Sequence, residues 1–276
     1  MKKDYLSILI KAAVRLAAAL SVAVIAFLVG YILVKGLPHL KPSLFAWEYN
    51  STNVSLLPAL INTILMTILS LLLAGPLGIF SAVYLHEYAR RGNRLVKVIR
   101  MAAEVLAGIP SIVYGLFGMI FFVVTLGWGY SLLAGTCTLT IMILPLIMRT
   151  TEEALMSVPD AYREGSFGLG AGKLRTVFAI VLPAAVPGIL AGIILAIGRI
   201  VGETAALIFT AGTLAKPAKS LFDSTRTLAV HMYNLSSEGL YIDQTYATAV
   251  VLLALVALIN ACSAWLAKRM SGGRNG

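Results

Sequence analysis

The feature that most constrains this chain is a series of apolar runs, each long enough to cross a lipid bilayer. The first, 12–34, follows Lys2, Lys3 and Lys11, has Arg15 near its start and is closed by Lys35. Its 23 residues would reach about 35 Å as a helix, against a hydrocarbon core about 30 Å thick. That is too long for the apolar section of a secretory signal, so an uncleaved first membrane helix is expected. Five more runs follow, at 56–84, 101–126, 128–148, 184–211 and 245–267. They are apolar on every face and lack the period-two alternation of a membrane β-strand. Helices are therefore the way to satisfy their backbone in lipid. Composition agrees: 12% of residues are charged, where soluble domains carry about 25%. The expected fold class is all-α, a polytopic membrane protein with about six transmembrane helices in one domain, 1–276.

The formal net charge of +10 acquires meaning only when mapped. With the N-terminus inside, 16 Lys and Arg fall on the cytoplasmic side: four at the N-terminus, five over 90–100, four over 149–175 and three at the C-terminal end. The other side holds five, Lys35, Lys41, Lys216, Lys219 and Arg226, and Arg199 falls within the membrane. Cytoplasmic loops of membrane proteins are enriched in Lys and Arg. The imbalance places both termini in the cytoplasm and accounts for the charge without a nucleic-acid partner.

Helix breakers punctuate the runs: Gly75-Pro76-Leu77-Gly78, Gly108-Ile109-Pro110, Pro145, and Pro183 with Pro187. Each proline removes a hydrogen bond and is expected to bend its helix. Cys137 and Cys262 sit alone in apolar runs and read as small apolar side chains. His39, His86 and His231 are isolated from one another. No metal-ligand spacing, catalytic nucleophile arrangement or cofactor site is expected.

The most informative stretch is the loop at about 150–175. Ser157 followed by Val158-Pro159-Asp160 resembles a helix start, and Gly168, Gly170 and Gly172 end the segment. A short helix outside the membrane is expected. Gly168-Leu169-Gly170-Ala171-Gly172-Lys173 superficially resembles a phosphate-cradling loop. Such a loop needs glycine where Phe167 stands and serine or threonine where Leu174 stands, with a strand before it. Any ATP hydrolysis must therefore belong to another chain.

Glu164-Gly165-Ser166, three residues, Gly170, nine residues, then Ile180-Val181-Leu182-Pro183 resembles the EAA loop of ABC-importer permeases. The departures are Gly165 and Ser166 in place of alanine. The resemblance implies that this loop docks in a groove of a separate ATP-binding subunit and transmits its closure. Glu153, Pro159, Ala161, Tyr162, Glu164, Gly165, Ser166 and Gly170 are its candidate coupling residues.

The fifth run contains Gly198-Arg199-Ile200-Val201-Gly202-Glu203-Thr204. A mid-membrane arginine costs about 2.5 to 3.5 kcal/mol on insertion scales and marks a functional candidate. Glu203 lies four residues on, a spacing at which the two can pair on one helix face. A buried structural ion pair is the alternative to a pathway role. Asn62, Thr63 and Thr67 put polar groups on roughly one face of the second run. They are candidates either to line a path or to bond helix to helix.

Together with Tyr84-Leu85-His86-Glu87-Tyr88-Ala89 and Gly108-Ile109-Pro110-Ser111, the Arg199 segment resembles the PstA-type permease family of phosphate ABC importers, from about residue 56 onward. The resemblance implies an arginine and a glutamate needed for phosphate passage, carried here by Arg199 and Glu203. Thr204, Asn62 and Thr67 are the further pathway candidates. It also implies a PstC-like homologous permease subunit, two PstB-like ATP-binding subunits and a PstS-like phosphate-binding protein, which the outer loop 213–244 could meet. A permease for another oxyanion, such as molybdate or sulfate, is the principal rival reading. A secondary transporter and a signalling scaffold are weaker ones, because neither needs the 150–175 loop.

Overall fold

The computed structural model describes residues 5–90 and 92–272. Lys2, Lys3, Arg91 and Arg274, all counted in the charge reckoning, lie outside them. The described residues are mostly helical and contain no strands. The order is α1 (Tyr5–Gly36), α2 (Leu57–Val83), α3 (Arg94–Ala107), α4 (Ser111–Gly118), α5 (Leu132–Met156), α6 (Asp160–Gly168), α7 (Lys173–Thr176), α8 (Leu182–Val201), α9 (Ala205–Thr210), α10 (Leu228–Glu238) and α11 (Ile242–Gly272).

Among the described residues, five helical segments are long and apolar enough to cross a membrane, and a bent pair makes a sixth. The sequence expectation of about six spans therefore holds, but three boundaries move. The third run is not one helix: α3 and the segment Ser111–Thr125 meet at 103° across Gly108-Ile109-Pro110. Pro110 cannot donate a backbone hydrogen bond and disfavours helical geometry in the residue before it, so the chain turns there. The fourth helix starts at Leu132 rather than 128 and runs on to Met156. Gly127 and Gly129 both take positive φ, +67° and +64°, which ends the preceding helix, and the Ser131 side chain caps the new one at the Ala134 amide. The fifth starts earlier, at Lys173, and ends at Val201 instead of 211.

Pro183 and Pro187 do not break α8. The chain widens into a π-turn over Val177–Val181 just ahead of it, which accommodates a proline ring without a clash. Similar wide turns close α2 at Tyr84–Tyr88 and extend α4 over Met119–Thr125.

The core is built on α5, which packs between α2 and α8. Met66, Leu139, Ile143, Ile147, Ile200 and Leu207 are among its fully buried large side chains. α1 packs mainly on α11 and leaves Leu16, Leu20 and Phe27 exposed, as expected of a helix whose other surface meets lipid.

Lipid tails are as apolar as leucine, so membrane helices gain by close packing at small residues. At Gly115, an added Cβ would lie 2.8 Å from the Cα of Ala206, bringing α4 against α9. Gly165 on α6, by contrast, has open space around it. We therefore expect Gly115→Ala to destabilise the fold by about 1–3 kcal/mol. Gly165→Ala should be neutral or stabilising by about 0.5–1 kcal/mol through helix propensity. Thermal unfolding in mild detergent, followed by circular dichroism, checks both; equal midpoints for the two variants would contradict the packing assignment.

Candidate functional site

The loops fall into two groups at opposite ends of the bundle. One end carries the α2 terminus, α3 and the α5–α8 connection. The other carries the 126–131 segment, the 213–227 loop and α10.

At the first end, the expected short helix is present as α6. Pro159 stands at its N-cap. Gly170 has φ +82°, a conformation that favours glycine, and it turns the chain toward α7. The candidate coupling residues separate cleanly. Ala161, Tyr162, Glu164 and Gly165 are exposed, and so is Phe167 beside them. Ser166 is buried, its hydroxyl 2.8 Å from that of Thr176, which ties α6 to α7. Glu153 lies on α5, paired with Arg149 at 3.0 Å on an exposed surface.

A residue outside the candidate set holds this unit to the bundle. Arg163 donates from Nη2 and Nε to Oε1 of Glu87, at 2.7 and 3.2 Å. It also donates to the carbonyls of Val158 and Leu155 and to Asp160. Both members of the central pair are largely buried, with 14% and 8% of their side chains exposed. Glu87 belongs to the π-turn that ends α2, so a charge-assisted contact joins α6 to that helix. Nothing in the sequence spacing announces it, because the partners are 76 residues apart.

Inside the bundle, the expected Arg199–Glu203 pair does not form. α8 ends at Val201, and Gly202 is its cap. The four-residue spacing therefore crosses a helix end, and the face-to-face geometry it would need is lost. Glu203 is buried and turns the other way, accepting from the Ala206 amide at 3.1 Å to cap α9. A carboxylate is favourable at a helix N-terminus, where backbone donors are otherwise unpaired. Thr204 occupies the joint itself. Arg199 is half-buried and forms no ion pair among the described residues. It lines a cleft of roughly 590 Å³ with Pro145, Arg149 and Thr150 of α5 and Arg100, Ala103, Glu104 and Ala107 of α3.

Asn62 and Thr67 are spent elsewhere. The Asn62 amide donates to the carbonyls of Lys216 and Arg226 and accepts from the Ala218 amide at 3.0 Å. It fastens the outer loop onto α2. Thr67 donates to the Thr63 carbonyl of its own helix, at 2.7 Å. Thr63 donates in turn to Ala59 and accepts from the Leu228 amide.

At the second end, an open pocket of roughly 820 Å³ is lined by Trp47, Tyr49, Tyr130, Lys216, Lys219 and Phe222, with the acids Glu48 and Asp223. Beneath it, the Arg226 guanidinium sits over the Tyr49 ring at 4.7 Å, and Nε and Nη2 have no hydrogen-bond partner among the described residues. His231 is fully buried, edge-on to Tyr49. Burial first, and the neighbouring Arg226 second, push His231 down to about 3, with the Val54 backbone only weakly opposing.

Residues 74–272 match the family described as "Binding-protein-dependent transport system inner membrane component". The chain is 34% identical to the "Probable ABC transporter permease protein YqgI" of Bacillus subtilis (strain 168) over 275 residues, 91% of each chain. It is 36% identical to the "Phosphate transport system permease protein PstA" of Mycobacterium leprae (strain TN), covering 78% of this chain and 72% of that one. Among solved structures, a bacterial alginate ABC transporter chain superposes with a TM-score of 0.66 at 18% identity, over 95% of this chain and 96% of that one. A chain of the MetNI methionine ABC transporter in an inward-facing conformation gives 0.61 at 22%, over 77% and 93%. At those identities the structures establish the fold.

Two expectations follow from the geometry. Removing either partner of the clamp, by Glu87→Gln or Arg163→Met, leaves a buried charge uncompensated and should cost about 3 kcal/mol, and the double variant should recover part of that. Limited proteolysis over 157–175, run as a double-mutant cycle, measures it; strictly additive effects would contradict the clamp. For His231 the folded protein holds the neutral ring and the unfolded chain protonates near 6.5. Its contribution is therefore complete above that pH and is lost progressively as pH falls toward about 3. Between pH 7 and 5, stability of wild type should fall more steeply than that of His231→Leu, approaching about 1.4 kcal/mol per pH unit; parallel curves would contradict it.

Proposed function

The chain belongs to the family of binding-protein-dependent transport system inner membrane components, and from that premise we propose that it is the PstA-type permease subunit of an ATP-driven phosphate importer. The single observation that carries this reading is Arg199: a guanidinium at the end of a membrane helix, facing a cleft, with no carboxylate paired to it. An entering oxyanion needs donors and positive potential, and the planar fork of arginine suits the edge of a phosphate. Because Glu203 is engaged in capping α9, Arg199 keeps its charge available to a passing anion. Glu203 and Thr204 form the joint at which α8 gives way to α9, and Glu203 positions Arg199 through that joint instead of neutralising it.

The rest of the reading follows from the placement of the exposed groups. Tyr162 and Phe167 on α6 give an ATP-binding subunit an aromatic surface to grip, and the Arg163–Glu87 contact passes its motion to α2. Two PstB-like subunits would supply the hydrolysis, and a PstC-like chain would complete the conduit. The outer pocket with Lys216 and Lys219 would receive phosphate from a PstS-like binding protein. The Lys and Arg distribution supports a cytoplasmic position for α6 and both termini. Relatives described as phosphate transport system permease proteins favour phosphate; the alginate and methionine transporters that share the fold show that the fold itself does not select the substrate.

The test is ATP-dependent phosphate uptake by the assembled transporter in liposomes. Arg199→Met should abolish uptake, and Arg199→Lys should slow it at least about tenfold, a loss of about 1.4 kcal/mol, because a lysine cannot present the planar fork. Full-rate uptake by a normally assembled Arg199→Lys variant would refute the pathway role. Inhibition of uptake by molybdate or sulfate at the same concentration as phosphate would move the assignment to another oxyanion.

A further inference from the structure

The second half of α3, from residue 101, was expected inside the third membrane span and its first half in a cytoplasmic loop; the structure makes them one helix, and its position gives it a different use. Its 14 residues cover about 21 Å, too little to cross a bilayer. It meets the segment Ser111–Thr125 at 103°. That segment leads directly to Trp128, whose ring packs on Phe222 of the outer loop. Ser111–Thr125 is equally short, about 22 Å, but it is the member of the pair that leads toward the outer loop, and at 103° to it α3 runs along the membrane surface.

The side chains of α3 divide into three sectors. Val96 and Ala103 face the bundle, packing on Ala82, Leu85 and Met148. Arg100 stays on the same side, bonded to Glu152 at 3.2 Å and to the Leu85 carbonyl. Leu95, Val98, Ile99 and Val105 form a second sector that is exposed, Leu95 at 70%. Arg94 and Lys97 form the third. An apolar sector beside a basic one on a short helix is the pattern of a segment lying in a lipid headgroup layer.

The basic sector opens on a basin of roughly 980 Å³ between α3, the end of α2 and α6, lined by Arg90, Arg94, Lys97, Arg100, Arg163 and Lys173. Its acids are Glu87, Glu104 and Asp160. Glu87 and Asp160 are engaged by Arg163, and Lys173 lies over the Tyr88 ring. Arg90, Arg94 and Lys97 form no ion pair among the described residues, so the basin has a surplus of positive charge at the level of the helix.

We propose that α3 is an in-plane interfacial helix and that Arg90, Arg94 and Lys97 bind the phosphate of an anionic phospholipid headgroup, whose acyl chains lie along Leu95, Val98 and Val105. Basic pockets at the ends of membrane helices attract anionic headgroups, each Lys or Arg contributing about 1 kcal/mol near the surface. The apolar sector next to the basin distinguishes a lipid from a free phosphate, which would need no acyl-chain contact. This binding is separate from transport and can be read without it.

The experiment uses the full-length chain, with any subunits that copurify, in nanodiscs of phosphatidylcholine containing a minor fraction of phosphatidylglycerol. Native mass spectrometry after mild extraction counts the phosphatidylglycerol retained. Wild type should retain it, Arg94→Gln/Lys97→Gln should retain about thirtyfold less, the equivalent of two surface charges, and Arg94→Lys/Lys97→Arg should match wild type. A fluorophore on Val98→Cys should be quenched by lipid-chain quenchers. Unchanged retention in the double glutamine variant would overturn the proposal. So would displacement of the lipid by millimolar inorganic phosphate, which would make the basin a free-anion site. A fluorophore shielded from lipid quenchers would overturn it by showing that protein covers the apolar sector.

Discussion

In hydrocarbon, each backbone donor or acceptor that leaves a helix must find another partner, and the structure is organised around the places where that happens. At the break after α3, the Tyr114 hydroxyl donates to the Leu106 carbonyl at 2.6 Å. Where the chain starts α5, the amides of Ser131, Leu132 and Leu133 donate to the carbonyls of Thr210, Asp223 and Leu221. Beyond α9, the Thr225 amide donates to the Ala211 carbonyl. At the end of α8, Glu203 takes the Ala206 amide. Each repair joins segments that a continuous helix would have kept apart, so the breaks hold the outer loop, α5 and α9 together as a unit.

The same constraint explains why Arg199 stands unpaired. Glu203 was its natural partner by spacing, and the backbone of α9 claimed the carboxylate first. A helix break has thus converted what would have been an internal ion pair into one committed acid and one available base, and an available guanidinium is what an anion pathway requires. The two ends of the molecule differ in the same sense. At the α6 end Arg163 is engaged with Glu87 in a directional contact, which suits the transmission of a mechanical displacement. At the outer end Arg226 rests on the Tyr49 ring and His231 is held neutral by burial, which suits a fixed scaffold.

Most of the fold was legible in the sequence because hydrocarbon imposes a simple code, in which apolar length gives spans. The short α6 was legible for a different reason, since Pro159 and Gly170 mark its limits chemically. The third span misled because 101–126 is apolar enough on average to hide a 103° bend; Gly108-Ile109-Pro110 was visible, but nothing in it specified the angle. Arg199 was found by its environment and Glu203 by its spacing, and the spacing argument failed because it assumes a continuous helix. Asn62 was visible as a buried amide, yet its partners Lys216, Ala218 and Arg226 are more than 150 positions away. The Glu87–Arg163 contact had no sequence signal at all, since only the fold brings those positions together.

The proposed function implies that closure at α6, passed to α2, changes access to the Arg199 cleft. It is tested most directly by replacing Cys137 and Cys262 with alanine, introducing Thr150→Cys in the cleft wall, and measuring its modification by a membrane-impermeant thiol reagent in the assembled transporter. The account predicts labelling from the α6 side in the absence of nucleotide and strong protection when the ATP-binding subunits are trapped closed with ATP and vanadate. Labelling at the same rate in both states would contradict it.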